Sequence, residues 1–473
     1  MTLKHSLMGT ALSGAVLLAA YPAAAQTSIS SQMQSLQSQI QQLQQQLQGL
    51  QGQVNDSQAA ARQAQQDAAQ AQSQAKQAQE HPAGGNALVT MSAGNRPSIC
   101  TADGENCIAL TSRLHFDVGD YLSVRPQGTT PVNLHSGANA RRARIGVLGK
   151  FAGDWNYALI YDFGGSTDAT PSTGIENAFV TYNGLKQVGV TLGYIDVPFT
   201  LDEAISSNDI MFMERASIQS VVTSISGSDA RSAFGFTWNN DRAWLGAFVT
   251  GPTAGTSHTQ PEQLGSTLRA AYQLVQTPTA TLHIGANGEY QFQGQNEQLS
   301  LSDRPELRIS PTTFLNTGTL NTESAYAVGP EFAGNWGSLY GQAEYYHVGI
   351  DRRGGSPTVN FDGYYAQAAY TLTGEQRHYL PATGAYGSIT PAHPLSFSRG
   401  GAGAWEVAAR YSFADLNDKD VHGGKQHVYT LGLNWYPITN IRFMFNYLHG
   451  LVDRPDAGGA HFDAIAMRTQ IAF

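Results

Sequence analysis

Charged residues are scarce in this chain, and cysteines are almost absent. Lysine, arginine, aspartate and glutamate make up 13% of the 473 residues, and there are 2 cysteines. The 27 basic residues are outnumbered by 36 acidic ones, and a formal net charge of −9 excludes a protein that binds nucleic acid through its overall charge. After residue 25 no apolar run reaches about 18 residues, so the sequence excludes a transmembrane helix there.

Glycine and aromatic residues are plentiful instead. The chain has 50 glycines and 10% aromatic residues, and its mean hydropathy of −0.27 resembles that of a soluble protein. A membrane-embedded β-barrel has the same average, because each strand turns an apolar face to lipid and a polar face to water. If this chain sits in a membrane, it must do so as a closed barrel, since only helices and edge-free sheets satisfy the backbone in lipid.

The amino terminus has the order of regions found in cleavable secretory signals. Lys4 supplies a positive charge, an apolar run follows (Met8–Ala20), and an alanine triplet (Ala23–Ala25) precedes a change of composition. We therefore expect a signal peptide over residues 1–25. The mature protein is then exported to an oxidising compartment, where disulfides persist.

A seven-residue repeat of apolar positions follows this segment. A glutamine-rich disordered tract is the alternative interpretation, but disorder does not keep a register, so the repeat favours a coiled coil over residues 26–80. Such a seam is buried only against other helices, which predicts a homo-oligomer. His81-Pro82 ends the helix and begins a linker, residues 81–98. The larger apolar residues of the repeat are Met33, Leu36, Ile40, Leu43, Leu47, Leu50 and Val54.

The two cysteines, Cys100 and Cys107, flank a turn-like stretch of polar and small residues. In an oxidising periplasm their spacing suits a disulfide that closes a small hairpin. A metal site needs further cysteine or histidine ligands at suitable spacing, and this stretch has none. We expect a disulfide at this turn and no cofactor.

From residue 99 onward the apolar period changes to 2. Leu114 and Phe116, for example, alternate with Arg113 and His115, as in a strand with one apolar and one polar face. About sixteen such segments follow one another, and an even number brings both ends of a barrel to one side. The sequence therefore predicts an all-β domain over residues 99–473, a sixteen-stranded antiparallel transmembrane β-barrel after the α-helical coiled coil.

The connections between these segments alternate between short and long. Short turns are typical of the periplasmic rim and long loops of the external rim, but segment 374–401 is long where a short turn is expected. Segment 196–230 is long enough to fold inward and narrow the barrel. A soluble sandwich or lipocalin-like barrel is the alternative fold, but the many polar residues opposite the apolar rows favour a water-filled lumen.

Basic residues concentrate on the polar faces of the predicted strands. The densest group contains Arg141, and strand parity aims its neighbours Arg142, Arg144 and Lys150 at the lumen. Other arginines on polar faces are Arg113, Arg269, Arg410, Arg442 and Arg468.

Two interpretations of these arginines stay open. They form rings that favour anions, or they pair with carboxylates in a neutral polar wall. No Ser, His and carboxylate set converges by parity, so we expect no enzyme. The carboxylates available for pairing are Asp117, Asp162, Glu176, Glu344 and Glu406.

Several motifs over most of residues 99–473 resemble the phosphate-selective porin O and P family. The resemblance implies a trimer of sixteen-stranded barrels, a three-stranded coiled coil and an arginine ladder that leads to a constriction. The motifs include Arg141-Arg142-Ala143-Arg144-Ile145, Val197-Pro198-Phe199, Ser206-Ser207-Asn208, Met213-Glu214-Arg215, Gly363-Tyr364-Tyr365-Ala366-Gln367, Trp405-Glu406-Val407-Ala408-Ala409-Arg410-Tyr411 and the terminal aromatic Phe473.

The resemblance also implies roles for individual residues. Asp196 is similar to the constriction aspartate of the family. Asn208 departs from it, because the phosphate-selective members carry a lysine after the serine pair. Loss of that ammonium weakens the anion well, so we expect less phosphate specificity than in those members. The matching ladder positions are Arg113, Arg141, Arg142 and Arg215, with Arg304 and Arg308 in the region of the external arginines.

These observations together predict a trimeric outer-membrane porin for passive diffusion of small hydrophilic solutes. We expect a preference for anions, phosphate or other inorganic ions, and a coiled coil that projects into the periplasm. Two other functions stay open: a non-selective or carbohydrate porin, and an envelope tether whose coiled coil contacts the cell wall. Deletion of residues 26–80 tests the tether, because adhesion would be lost while conductance is kept.

Overall fold

The computed structural model describes residues 88–92, 95–127, 131–165, 174–227, 230–454 and 458–473. The chain divides into two units, Met1–Gly84 and Gly85–Phe473, and the described residues all belong to the second unit. The expected signal peptide, the expected coiled coil and half of the expected linker lie outside the described residues.

The described residues form a closed antiparallel barrel of 16 strands, as predicted. Each strand pairs with the next along the chain, and the last pairs with the first from Gly459↔Gln127 to Ala472↔Arg113. Closure gives every one of these strands two neighbours, so none of them is left as a free sheet edge. The strands are β1 (Cys107–Gln127), β2 (Gly137–Phe151), β3 (Trp155–Asp162), β4 (Gly174–Leu185), β5 (Val188–Ile195), β6 (Arg231–Asn239), β7 (Ala243–Thr253), β8 (Leu264–Gln276), β9 (Ala280–Gln293), β10 (Leu320–Trp336), β11 (Leu339–Arg352), β12 (Val359–Thr371), β13 (Ala404–Asp418), β14 (Val421–Ile438), β15 (Ile441–Asp453) and β16 (Gly459–Ala472).

The two faces of the barrel wall differ in polarity as the period of 2 predicts. Leu159 on β3 and Leu431 on β14 face outward with 54% and 59% of their surface exposed. Arg468 and Glu331 face inward and are fully buried. An apolar exterior around a polar interior is the reverse of a soluble barrel and suits a lipid environment with a water-filled lumen. The soluble alternative is therefore wrong.

Short turns and long loops alternate between the two ends of the barrel. The carboxyl terminus lies at the short-turn rim, where Phe473 N donates to Ser112 O at 3.0 Å. Residues 372–403 form a long loop at that rim, so the predicted exception to the alternation is present. At the opposite rim the two-residue turn Lys419–Asp420, between β13 and β14, is short where a long loop is expected.

Three loops fold into the barrel and pack their apolar side chains against those of the wall. We call them the inner loop (196–230), the cover loop (294–319) and the rim loop (372–403). Val197, Phe199, Ile218 and Val222 of the inner loop are fully buried in one cluster, packed against inward side chains of the wall. The prediction that segment 196–230 folds inward is confirmed.

Short elements lie within these loops and before the barrel. The inner loop contains α1 (Leu201–Ala204) and α2 (Ser217–Thr223). The described residues contain no helix that is both long and apolar enough to span a membrane. The remaining elements are the hairpin Leu88–Ser92 and Arg96–Cys100, the 3-10 turn Gln295–Glu297, and the two-residue strands Gln298–Leu299, Ser302–Asp303, Leu315–Asn316, Tyr379–Leu380 and Ala385–Tyr386.

Cys100 and Cys107 form a disulfide at the short-turn rim, with Sγ atoms 2.06 Å apart. The second hairpin strand pairs with the start of β1, from Ser98↔Ala109 to Cys100↔Cys107. The disulfide thus covalently joins the hairpin to the barrel wall.

Candidate pore lining and constriction

A β-bulge in β2 turns two consecutive arginines toward the lumen. His115 on β1 pairs with Arg142, and the next β1 residue, Phe116, pairs with Ala140. Arg141 is therefore skipped in the register, and a bulge of this kind lets neighbouring side chains share one face. Arg141 reaches inward and donates to both carboxylate oxygens of Glu214, Nε at 2.8 Å and Nη2 at 3.1 Å. Strand parity alone assigns only its neighbour to the lumen.

Arg142 is the least compensated of the predicted arginines. Only 3% of its surface is exposed, and its Nε and Nη1 atoms make no hydrogen bond with the described residues. The surrounding ionisable groups are mostly cations, Arg141, Arg144 and Arg468, with Glu214 as the acid. A guanidinium in these surroundings keeps positive charge at the wall of the loop-side cavity, which Arg142 lines.

The serine pair of the inner loop lies against β1. Arg113 donates to Ser207 Oγ at 2.6 Å through Nη1 and to Ser206 Oγ at 3.3 Å through Nη2. Asn208 Oδ1 lies 3.1 Å from His115 Nε2, within hydrogen-bond distance. The first-strand arginine and the serine motif, which are far apart in sequence, therefore meet in the lumen.

Arg215 binds its own loop. Its Nε lies 3.1 Å from Glu203 Oε2 and 3.8 Å from Asp202 Oδ2, and its Nη2 donates to Ile205 O at 2.9 Å. These contacts fold the inner loop back over α1. Burial raises the pKa of Asp202, and the Arg215 guanidinium opposes that shift. Arg215 thus fixes the conformation of the inner loop around α1.

Glu214 links the inner loop to the wall. Besides Arg141, it binds Arg468 Nη2 at 2.9 Å and lies 3.8 Å from Arg308 Nε. Burial alone would raise the pKa of Glu214, but Arg141, Arg468 and Arg142 together hold it well below its ordinary value. The carboxylate stays ionised and collects the surrounding arginines around the inner loop.

The arginine side chains line two cavities that share Arg215 and Glu203. The two cavities lie near opposite ends of β7. Trp244, near the start of the strand, lines the rim-side cavity of about 290 Å³. Thr253, at its end, lines the loop-side cavity of about 460 Å³. Among the described residues, seven arginines and three carboxylates line the two together: Arg113, Arg141, Arg142, Arg144, Arg215, Arg231 and Arg308 against Asp196, Glu203 and Glu214.

Several buried carboxylates bind backbone N–H groups of the inner loop. Glu344 accepts from the amides of Leu201 and Asp202, at 2.9 and 3.1 Å, at the start of α1. Glu306 accepts from Ser217 N at 2.9 Å, at the start of α2, and Glu289 accepts from Ser226 N at 2.8 Å. These donors at helix and loop termini stabilise the acids. The prediction that Glu344 pairs with an arginine is wrong, because its carboxylate accepts hydrogen bonds from peptide N–H groups instead.

Other predicted arginines are paired in the wall. Arg468 binds both oxygens of Asp117 at 2.6 and 2.7 Å, and Arg144 binds Asp162 at 2.7 Å and also Glu176. The neutral-wall interpretation therefore describes these positions. Arg269 and Arg410 are likewise paired, with Glu331 and Glu306, and Arg442 donates to the carbonyls of Asn208 and Met211.

Two further predicted residues are Lys150 and Asp196. Lys150 pairs in register with Cys107 at the short-turn rim and lines neither cavity. Asp196 accepts from Asn177 Nδ2 at 3.1 Å beside the rim-side cavity.

Arg304 and Arg308 both belong to the cover loop. Arg308 lies 3.7 Å from Asp303 of the same loop and lines the loop-side cavity. Burial, together with the nearby charges of Arg308 and Arg141, lowers the pKa of Arg304 to about 10. The cover loop thus adds cations to the arginine group of the wall.

Sequence reasoning missed Arg231 and Arg377. Arg231 begins β6, donates to Gln263 Oε1 at 2.6 Å and lines the loop-side cavity. The parity of the predicted segment that starts at this residue could have placed it inward. Arg377 comes from the rim loop and binds Glu406 at 2.9 Å. No periodic signal could have found it, because it lies outside the strands.

Residues 108–473 match the family described as phosphate-selective porin O and P. The chain belongs to this family. This porin is 29% identical over 362 residues to an uncharacterized protein of Caulobacter vibrioides, an alignment that covers 74% of this chain and 69% of that protein. It is 26% identical over 413 residues to Porin O of Pseudomonas aeruginosa, which covers 79% of this chain and 90% of that protein.

A solved structure shares the barrel fold. The porin is similar to OmpT, an outer membrane protein of Vibrio cholerae in its trimer form, with a TM-score of 0.50 and 10% identity over 78% of this chain and 99% of that one. The predicted family and the predicted sixteen-stranded β-barrel are confirmed, and the chain is an outer-membrane porin rather than an enzyme.

Proposed function

We propose that this porin conducts small hydrophilic anions by passive diffusion, with the two cavities as halves of one path and Arg215 and Glu203 at its narrowest point. The observation that carries the proposal is Arg142, which lines the loop-side cavity among further arginines and has two guanidinium nitrogens that make no hydrogen bond to described residues. Fixed guanidinium groups along a narrow water column lower the barrier for anions and raise it for cations.

Local charge supports this proposal although the whole chain is acidic. Selectivity in a pore depends on the field along the path, and a total charge of −9 has little bearing on it. The carboxylates of Glu344, Glu306 and Glu289 are engaged by the inner loop. Loop amides donate to these three carboxyl groups, and arginines outnumber acids along the two cavities.

We further propose a homotrimer in the outer membrane, with the coiled coil of residues 26–80 in the periplasm. The trimer form of OmpT supports this assembly for the shared barrel fold. The heptad repeat supports it independently, because its apolar seam requires partner helices. A contact between the coiled coil and the cell wall remains part of the proposal, and deletion of residues 26–80 tests it.

Planar-bilayer recordings of the purified porin in a potassium chloride gradient test the anion preference. The zero-current potential should have the sign of chloride permeation. Arg142→Gln should move it toward the potassium value, whereas Arg142→Lys should keep most of the preference. The control is Arg125→Gln, which removes a charge whose side chain is 64% exposed beside Asp463. Equal potentials in wild type and Arg142→Gln would refute the proposal.

A further inference from the structure

The two cavities have different linings. Every side chain around the loop-side cavity is charged or carries a hydroxyl group. The rim-side cavity places three arginines and two carboxylates beside the apolar side chains of Pro198, Ala204 and Ala382; the charged residues are Arg113, Arg144, Arg215, Asp196 and Glu203. An inorganic anion can form polar contacts with every part of the loop-side lining. The rim-side lining has a cationic part and an apolar part, which suits a solute with the same division.

The polar groups of the rim loop beside this cavity are engaged elsewhere. Ala382 O accepts from the indole Nε1 of Trp244 at 3.0 Å. Thr383 O accepts from Arg269 Nη1 at 3.0 Å, and the Thr383 hydroxyl donates to Leu380 O at 3.3 Å. These bonds satisfy the polar atoms of the segment, so the methyl group of Ala382 is what it offers to a solute in the cavity.

The cationic part of the cavity centres on Arg113. This residue lies on β1, and its hydrogen bonds go to the neutral hydroxyls of Ser206 and Ser207. A guanidinium has five N–H groups, so two such bonds leave donors for one carboxylate. Arg144, in contrast, already binds Asp162 and Glu176. The cavity therefore combines one anion-binding group with an apolar surface.

We propose that the rim-side cavity is a binding station for short-chain organic carboxylates, with the carboxylate on Arg113 and the carbon chain against Pro198, Ala204 and Ala382. This inference rests on the proposed anion conduction and names the solute class that the rim-side half of the path selects. A volume of about 290 Å³ admits a short aliphatic chain. Binding must stay weak for the solute to leave again, as conduction requires.

Block of the chloride current by formate, acetate and butyrate tests the proposal on the full-length porin in planar bilayers. Burial of one methylene stabilises binding by about 0.8 kcal/mol, which corresponds to roughly a fourfold gain in affinity at full contact. We expect block to strengthen two- to fourfold, in order of magnitude, with each added carbon. Inorganic phosphate should block less than butyrate at equal concentration.

Ala382→Ser should weaken the block by butyrate several-fold and leave the block by formate nearly unchanged, because only the chain contacts Ala382. The control is Ala392→Ser, the same change at an exposed position of the rim loop that does not line the cavity. If the porin prefers chloride but the block of its current by carboxylates does not depend on their chain length, the carboxylate station alone would be overturned. A wild-type porin that prefers potassium would overturn both this inference and the proposed function.

Discussion

The guanidinium of Arg141 donates two hydrogen bonds to the carboxylate of Glu214, at 2.8 and 3.1 Å, and so joins the barrel wall to the inner loop. The pair exists because a bulge in β2 turns Arg141 inward, next to Arg142. One carboxylate therefore neutralises part of a dense arginine group and also fixes the loop that narrows the lumen.

Removal of Glu214 should cost more stability than removal of the pair. The side chains of Arg141 and Glu214 are 17% and 7% exposed, and Glu214→Gln leaves several buried cations without their acid. We expect a loss of about 3 kcal/mol in the free energy of unfolding. The double variant Arg141→Gln/Glu214→Gln should lose less than Glu214→Gln alone, and therefore less than the sum of the single changes. Urea unfolding in detergent micelles measures both, and strictly additive losses would contradict the coupling.

Substitution of Arg215 should change pore size more than charge selectivity. Its guanidinium folds the inner loop through Glu203 and the carbonyl of Ile205. Arg215→Gln should loosen this turn, so single-channel conductance and the size limit for neutral polymers should both rise. Arg142→Gln should shift the zero-current potential with a smaller change in conductance. The distinction is wrong if the two variants alter both quantities in the same proportion.

The anion preference should depend on pH through Asp303. Burial raises the pKa of this carboxyl from 3.8 to about 7, although Arg308 opposes the shift. An acid with a raised folded-state pKa stabilises the fold at low pH, and that contribution disappears as the pH rises from about 4 through 7. Protonation also removes a negative charge 3.7 Å from Arg308.

We therefore expect chloride preference to increase as the pH falls from about 8 to about 6, across the raised pKa of Asp303. Asp303→Asn should show the low-pH preference at both values. Reversal potentials recorded at the two pH values check this, with Glu297→Gln on an exposed part of the cover loop as the control. A pH response that persists unchanged in Asp303→Asn would assign it to another group.

A lysine at position 208 should increase phosphate binding. Asn208 lies within hydrogen-bond distance of His115 beside the serine pair, at the position where the family resemblance implies a lysine in phosphate-selective members. Asn208→Lys adds an ammonium near Arg113, and we expect phosphate to block the chloride current about tenfold more strongly, a change of about 1.4 kcal/mol. Asn208→Gln is the uncharged control. Micromolar block by phosphate in the wild-type porin would contradict the weak specificity expected for it.

The barrel could be predicted from the sequence because strand geometry is local. A period of 2 in side-chain polarity identifies each strand and its lumen face, so the pattern alone places Arg113, Arg142 and Arg144 inside. The same rule could not place Arg141, since a bulge breaks the parity of β2. It could not place Arg377 either, because that residue enters from a loop.

The sequence by itself determined the number of strands, the polarity of the two faces and the family, since these follow from alternation and short motifs. The tertiary structure decided which arginines are neutralised. Barrel closure and the fold of the inner loop determine which residues lie next to each arginine. Arg468 lies against Asp117, whereas two nitrogens of Arg142 have no acceptor among the described residues. Charge pairing depends on distances across the lumen, and those distances are set by residues far apart along the chain.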